Sequence, residues 1–122
     1  MHSSWETAFL SRCVSEGYPV TKVHSLQIPY IAHDGTEHTY IPDFKLSNGI
    51  YVEAKGVFNA IQRKKLINIL DSNPDKDIRI LLMRDNYINR GSKTKYSDWC
   101  VKRGIKYHVS SSGHVPEEWY SE

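Results

Sequence analysis

The chain has 122 residues, of which 25% are charged and 39% are hydrophobic. This length supports a single domain over residues 1–122 with a sizeable core, and the composition is ordinary for a soluble protein. No apolar run reaches membrane-spanning length and the first residues do not resemble a signal peptide, so we expect a cytoplasmic protein without a membrane partner. The net charge of +2 does not by itself indicate a nucleic-acid binder.

Both cysteines stand alone in the sequence. Cys13 and Cys100 have no C-x-x-C partner, and each is flanked by an apolar or helical pattern. Because free cysteine is among the most buried residue types, we expect two buried thiols rather than a disulfide or a zinc site.

Hydrophobic periodicity and turn residues predict helices alternating with strands in the order α-β-β-β-α-β-α-β. A continuous apolar run after residue 77 is typical of a strand buried on both faces. Near the C-terminus, Trp119 is expected to fold back as an apolar anchor. The pattern predicts an α/β fold with a mixed β-sheet flanked by helices. The predicted helices cover residues 3–16, 60–70 and 95–103, and the predicted strands cover residues 19–32, 38–46, 50–55, 77–84 and 105–109.

Two basic clusters lie in the second half of the chain. In the helix over 60–70, Ile61, Leu66 and Ile69 are expected to face the core, with a basic trio on the outer side. The polar loop before the next helix carries the second cluster. Such clusters are usually solvated faces, but lysine and arginine also bind DNA phosphates without reading the sequence. The candidate DNA-binding residues are Arg63, Lys64, Lys65, Arg90, Lys93 and Lys95.

The stretch P-D-F-K-L-S-N-G-I-Y-V-E-A-K over residues 42–55 predicts a β-hairpin. A two-residue turn at Asn48-Gly49 would scatter apolar and polar side chains over both faces. A three-residue loop with Gly49 in the left-handed conformation places the apolar side chains on one face, and a one-residue slip would turn that face over. We therefore expect the second register. Its apolar pairs are Leu46 with Ile50, Phe44 with Val52, and Pro42 with Ala54.

The same register predicts two neighbouring carboxylates on the other face. Asp43 lies opposite Glu53, with Cβ atoms about 5 Å apart, and Lys55 follows on the same face. Carboxylates this close destabilise a sheet, and a Mg²⁺ ion, which prefers oxygen ligands, removes that cost. Lys55 is then placed to orient or deprotonate a water, or to neutralise a phosphate, and the Ala54 carbonyl is a further candidate ligand. The alternative is that both acids face solvent and Lys55 is their ion-pair partner.

P-D at residues 42–43 and E-A-K at 53–55 match the PD-(D/E)XK nuclease pattern. Further segments resemble phage endonuclease I, a family of four-way-junction resolvases of podoviruses, from about Ser3 to Trp119. These segments are H-T-Y-I-P-D-F, N-G-I-Y-V-E-A-K-G, R-K-K-L, D-I-R-I, Y-S-D-W-C-V-K-R-G-I-K and V-P-E-E-W. The resemblance implies a restriction-endonuclease-like α/β core.

The resemblance also implies the catalytic set. Asp43 and Glu53 would be the metal acids and Lys55 the catalytic lysine. A further acid belongs to the first helix of the family, and Glu6 in Ser4-Trp5-Glu6 lies at that place. Glu6 is therefore expected as a further catalytic acid and metal ligand, beside its local role in a capping box.

The activity implied is that of a Mg²⁺-dependent endodeoxyribonuclease, with Mn²⁺ as a substitute and one or two ions per site. It would resolve Holliday junctions and other branched DNA by paired nicks that leave 5′-phosphate and 3′-hydroxyl ends. The family pattern implies a homodimer, without an organic cofactor, in the host cytoplasm. Its protomers exchange a segment before the P-D strand, although the turn pair Asp34-Gly35 would also allow an unexchanged arrangement.

The sequence departs from the family pattern in having no basic extension after V-P-E-E-W and few residues before the first helix. We therefore expect weaker or more salt-sensitive junction binding. Two other functions stay open from the residues alone. One is a sequence-specific nuclease of the same superfamily, of the homing, restriction or transposon-end type. The other is a non-catalytic junction-binding module, against which the set Asp43, Glu53 and Lys55 argues.

Overall fold

The structure, a computed structural model, describes residues 20–22 and 27–121. The predictions for the helix over 3–16, for Glu6 and for Cys13 lie outside these residues. The described elements are β1 Val20–Lys22, β2 Ile28–Ile31, β3 Glu37–Tyr40, β4 Phe44–Leu46, β5 Tyr51–Lys55, α1 Ala60–Ser72, β6 Ile78–Leu82, α2 Tyr96–Lys102, β7 Tyr107–Val109 and α3 Glu117–Tyr120.

Five of these strands form one mixed sheet in the order β1-β4-β5-β6-β7. The pairs β1–β4 and β4–β5 are antiparallel, whereas β5–β6 and β6–β7 are parallel. Strands β2 and β3 form a separate antiparallel pair. The predicted α/β class and mixed sheet are confirmed. No helix in the described ranges combines the length and apolar character needed to cross a membrane.

The single strand predicted over residues 38–46 is wrong, because the chain divides into β3 and β4, which belong to different sheets. Pro42 lies in the break and has no N–H to donate to a ladder, and the backbone bends at Asp43. The strand predicted over residues 19–32 likewise corresponds to β1 and β2 in different sheets.

The register predicted for the β4–β5 hairpin is confirmed. Phe44 pairs with Val52, and the N–H of Leu46 donates to the Ile50 carbonyl at 2.8 Å. Gly49 has a φ of +92°, the left-handed conformation that a three-residue loop requires. The loop geometry and the apolar pattern thus select one alignment.

One face of this hairpin packs against the C-terminal helix. The amide of Asn48 donates to the Trp119 carbonyl at 2.6 Å, and Trp119 is 6% exposed, so its predicted role as an anchor is confirmed. The side chains of this cluster come from the hairpin, β6 and the C-terminal segment: Phe44, Leu46, Ile50, Val52, Leu81, Val115 and Trp119.

The opposite face of the sheet is covered by α1 and α2. Phe58 packs edge-on against Tyr96 and Trp99, with ring centroids 5.8 and 5.3 Å away. All five residues of β6 are buried, as predicted for a strand covered on both faces. Cys100 is a buried free thiol, also as predicted, and burial, with a smaller effect of Asp85, raises its pKa to about 12.

Helix α1 is rotated relative to the prediction. Ile61 is 79% exposed, whereas Arg63 is 8% exposed. A capping box between Asn59 and Gln62 fixes where the helix begins. With Leu66 facing inward, position 61 lies roughly 140° away around the helix at about 100° per residue. The expectation that Ile61 faces the core and Arg63 the outside is therefore wrong.

The C-terminal end of α1 holds the β2–β3 pair in place. The buried amide of Asn73 donates to the carbonyls of Pro29 and Ile69, each at 3.0 Å, and the Ile31 N–H donates to Ser72 Oγ at 2.9 Å. These contacts join two backbone segments far apart in the sequence. They fix the position of β3 relative to the five-stranded sheet.

The turn between β2 and β3 closes within one chain. The Gly35 N–H donates to the Ala32 carbonyl at 2.9 Å, and Gly35 has a φ of +85°. The Asp34 carboxylate accepts hydrogen bonds from the hydroxyl and the N–H of Thr36, which lower the pKa of Asp34. The tight turn that the sequence allowed at Asp34-Gly35 is thus formed.

We predict that Gly49→Ala lowers the free energy of unfolding by about 1–2 kcal/mol, the cost of a left-handed backbone at a residue with a Cβ. No atom lies within 4 Å of the added carbon, so the loss would report backbone strain alone. Gly56→Ala is the control, because its Cβ makes only an ordinary contact with Met83 Sδ at 3.6 Å. Urea unfolding of both variants measures the difference, and equal stabilities would contradict the assigned strain.

Candidate active site

The end of the β4 ladder places Asp43 against the backbone of β5. Continuing the register beyond Phe44 and Val52 would pair position 42 with Ala54, but Pro42 cannot donate to the Ala54 carbonyl. The Ala54 N–H, for its part, donates to a side chain, Asp43 Oδ2, at 2.9 Å. Because the N–H and C=O of a strand residue point to the same side, the Ala54 carbonyl lies on the side of Asp43, as its predicted ligand role requires.

Glu53 is held by two donors. The Tyr40 hydroxyl donates to Glu53 Oε1 at 2.7 Å, and Lys55 Nζ lies 3.2 Å from Oε2. The side chains of Lys55 and Glu53 are 25% and 14% exposed, so this ion pair is sheltered by protein yet reachable from solvent. Glu53 and Lys55 thus form the ion pair that the alternative interpretation expected, on one face of β5.

Tyr40 is a site residue that the sequence reasoning missed. Its pKa is raised far above the ordinary value by burial first, then by Glu53 and Asp43. The phenol is therefore neutral and donates its proton, and both carboxylates are close enough to act on it. In the sequence, the only indication of this role was that Tyr40 lies three residues before Asp43. The contact itself depends on β3 leaving the main sheet.

A cavity of about 140 Å³ opens beside this group. Gln62 and Lys65 of α1 line the side facing Glu53 and Lys55. Lys65 was predicted as a DNA-binding residue, and the structure places it in the lining of the cavity that Glu53 and Lys55 share. The remaining lining residues are Tyr40, Phe58, Leu66, Ile69 and Ile80.

The rest of the first basic cluster lies elsewhere. Lys64 is exposed on α1. Arg63 points inward, where Nη1 donates to the Phe58 carbonyl at 2.7 Å and the guanidinium lies 6.0 Å from the centre of the Trp99 ring. This arginine supports the cavity wall through the backbone of Phe58 and does not lie on the outer side of the helix.

The second basic cluster lies in the loop between β6 and α2. Arg90, Lys93 and Lys95 are exposed, and Lys95 Nζ lies 5.7 Å from the centre of the Tyr87 ring. Because β6 runs parallel to β5, this loop leaves the sheet at the edge at which Lys55 lies. None of the three residues lines the cavity beside Glu53.

The donor set fits a hard divalent cation. Two carboxylates and the Ala54 carbonyl supply oxygen atoms, which Mg²⁺ prefers, and Mg²⁺ keeps several waters or phosphate oxygens as its other ligands. Across residues 27–121, no three histidine, cysteine, aspartate or glutamate side chains converge as a metal site. A third acid would have to come from outside the described residues, where Glu6 lies.

Comparison with known proteins shows the family to which the chain belongs. The sequence profile described as phage endonuclease I matches residues 2–122. The chain belongs to the phage endonuclease I family. It is 39% identical over 97 residues to Endonuclease I of Escherichia phage T7, which covers 79% of this chain and 62% of the relative. It is also 39% identical over 82 residues to Endodeoxyribonuclease 1 of Enterobacteria phage T3, which covers 66% and 53%. The chain thus aligns with less than two thirds of the length of either relative.

For this endonuclease I family member, we predict that Asp43→Ala lowers the free energy of unfolding by about 1–3 kcal/mol, because it removes the acceptor of the partly buried Ala54 N–H. Asp43→Asn keeps an oxygen acceptor and reduces the repulsion with Glu53, so its stability should equal or exceed that of the wild type. Urea unfolding without divalent metal compares the two variants. A stable Asp43→Ala variant would show that the hydrogen bond contributes little.

Proposed function

We propose that this protein is a metal-dependent endodeoxyribonuclease that resolves four-way junctions and other branched DNA by paired nicks, leaving 5′-phosphate and 3′-hydroxyl ends. The observation that carries the proposal is the convergence of Asp43, Glu53 and Lys55 on one end of the β4–β5 hairpin, beside a solvent-accessible cavity. Membership of the phage endonuclease I family supports it.

The residues that would hold Mg²⁺ are Asp43, Glu53 and the Ala54 carbonyl, with Glu6 as a further ligand. One or two ions per site fit this number of oxygens, and Mn²⁺ should substitute because it accepts the same ligands. When bound, the cation supplies Lewis-acid stabilisation of charge on the phosphate and on the leaving 3′-oxygen. The chain's own contribution is to keep two carboxylates in place at the end of a rigid hairpin.

Lys55 contributes positive charge at the same point. Without a metal ion its ammonium neutralises Glu53 at 3.2 Å. A phosphate entering the cavity would meet Lys55 beside the acids, where an N–H donor stabilises the negative charge that grows on a non-bridging oxygen. Its position is equally within reach of a water that attacks the phosphorus, so orientation of the nucleophile is a second role open to it.

The DNA backbone would be held by cations on two elements. Lys65 at the cavity and Lys64 on the same helix are placed to contact phosphates next to the scissile one. The loop with Arg90, Lys93 and Lys95 leaves the sheet at the same edge and would contact phosphates of a neighbouring arm of the junction. Contacts of this kind position DNA without reading bases, which suits recognition of branched shape.

Paired nicks require two sites, and we propose a homodimer. The turn at Asp34-Gly35 closes within one chain, which would allow unexchanged protomers, whereas the family pattern implies a dimer that exchanges a segment before the P-D strand. In such a dimer Glu6 would reach the partner's Asp43 and Glu53 from the other chain. We place this activity in the host cytoplasm, where branched phage DNA would be its substrate.

We predict that Asp43→Asn and Glu53→Gln each lower the rate of junction nicking in Mg²⁺ by more than about 100-fold, the scale of losing one charged group that stabilises a transition state. Junction affinity should change little, because the phosphate contacts stay in place. Nicking assays and gel-shift titrations in Ca²⁺ measure the two properties. Glu117→Gln, an exposed acid on α3, is the control. Full nicking by either site variant would remove these acids from the mechanism.

Selectivity for branched DNA is tested with two substrates of identical arm sequence, an immobile four-way junction and a linear duplex. We predict cleavage of the junction at least about 100-fold faster at moderate salt. The reason is that lysine and arginine side chains on separate elements can bind phosphates of two junction arms at once, whereas a straight duplex does not reach both sets. Equal cutting of both substrates at fixed sequence positions would instead indicate a sequence-specific nuclease.

A further inference from the structure

The hydroxyl of Tyr40 is the one donor to Glu53 that comes from outside the β4–β5 hairpin among the described contacts. It reaches Glu53 Oε1 at 2.7 Å from β3, a strand of the separate two-stranded sheet. Its ring is 4% exposed. A buried tyrosine requires a partner for its hydroxyl, and here that partner is a carboxylate placed to bind a cation.

The two donors to Glu53 differ in rigidity. Lys55 carries its ammonium on a flexible four-carbon stem, and a cation arriving at Glu53 Oε2 would displace it. Tyr40 has a packed ring and donates to the other oxygen, so its contact would be retained with a cation bound. The anchoring of β2–β3 through Asn73 fixes the backbone from which Tyr40 extends.

We propose that Tyr40 is a positioning residue, which orients the Glu53 carboxylate by binding Oε1 and so presents Oε2 to the divalent cation. This inference rests on the proposed function, since it assumes that Glu53 is a metal ligand. Hydrogen bonds to ligating carboxylates from such outer groups typically change metal affinity by about 10–100-fold. Tyr40 touches neither the metal nor the phosphate in this role.

The test is Tyr40→Phe, which removes one oxygen atom and keeps the ring. Binding of Mn²⁺ alone, measured by titration calorimetry on the full chain, should weaken about 10-fold. The Mg²⁺ concentration that gives half-maximal junction nicking should rise by a similar factor, while the rate at saturating Mg²⁺ returns to near the wild-type value. Thermal unfolding in a chelator should change little relative to a matched variant.

That matched variant is Tyr30→Phe. Tyr30 lies in the same two-stranded sheet, is 7% exposed, and stacks on His38 rather than contacting Glu53. It should bind Mn²⁺ as the wild type does. A Tyr40→Phe variant with wild-type Mn²⁺ affinity would overturn the positioning role, as would equal weakening in both variants.

Mn²⁺ binding and nicking by the wild-type protein distinguish a failure of this inference from a failure of the proposed function. Wild-type protein that binds Mn²⁺ and nicks junctions, together with an unchanged Tyr40→Phe variant, would overturn only the role of Tyr40. Wild-type protein that neither binds Mn²⁺ nor nicks DNA would overturn the metal-dependent nuclease itself, and the positioning role with it.

Discussion

The site depends on the point at which the hydrogen-bonded ladder between β4 and β5 ends, before Pro42 and Ala54 can pair. Pro42 has no N–H to donate to the Ala54 carbonyl, and the backbone bends after it. The Ala54 N–H donates to the Asp43 carboxylate at 2.9 Å, which takes the place of a backbone acceptor on β4. That single substitution of a carboxylate for a carbonyl brings Asp43 beside Glu53 and leaves the Ala54 carbonyl on the same side. Every later feature of the site, from the ion pair to the cavity, is arranged around this end of the hairpin.

Two neighbouring carboxylates repel each other, and the protein offsets this repulsion with hydrogen-bond donors and access to solvent. A backbone N–H binds Asp43, a phenol and an ammonium bind Glu53, and Glu53 is open to the cavity. Hydrogen bonds to charged groups are worth more than those between neutral groups. These donors offset part of the repulsion between the two carboxylates, and in the proposed function a cation would offset the rest. Helix α1 contributes Lys65 to the cavity. Asn73, at the C-terminal end of the same helix, holds the β2–β3 pair from which Tyr40 extends.

The sequence was sufficient for the parts of the fold that are local and periodic. The hairpin register follows from alternating side chains and one glycine, and β6 follows from an uninterrupted apolar run. Features that depend on how elements dock were not accessible. The inward turn of Arg63 is set by the Asn59 cap and by the aromatic wall it meets, and charge alone indicated the opposite face. The role of Tyr40 requires β3 to separate from β4, which the sequence pattern presented as one strand. The role of Glu6 stays a prediction.

The hairpin also determines how this chain can tolerate mutation. Successive side chains alternate between a face that needs only apolar bulk, shared with Trp119, and a face whose chemistry is specific. Exchanges that conserve volume at Phe44, Leu46 or Val52 should cost less than about 1.5 kcal/mol. In the proposed function, Asp43 and Glu53 on the other face would admit almost no replacement. Tolerance should therefore rise and fall with a period of two along these residues. Within the hairpin, divergence from relatives that share 39% of aligned positions should therefore accumulate on the apolar face more than on the other.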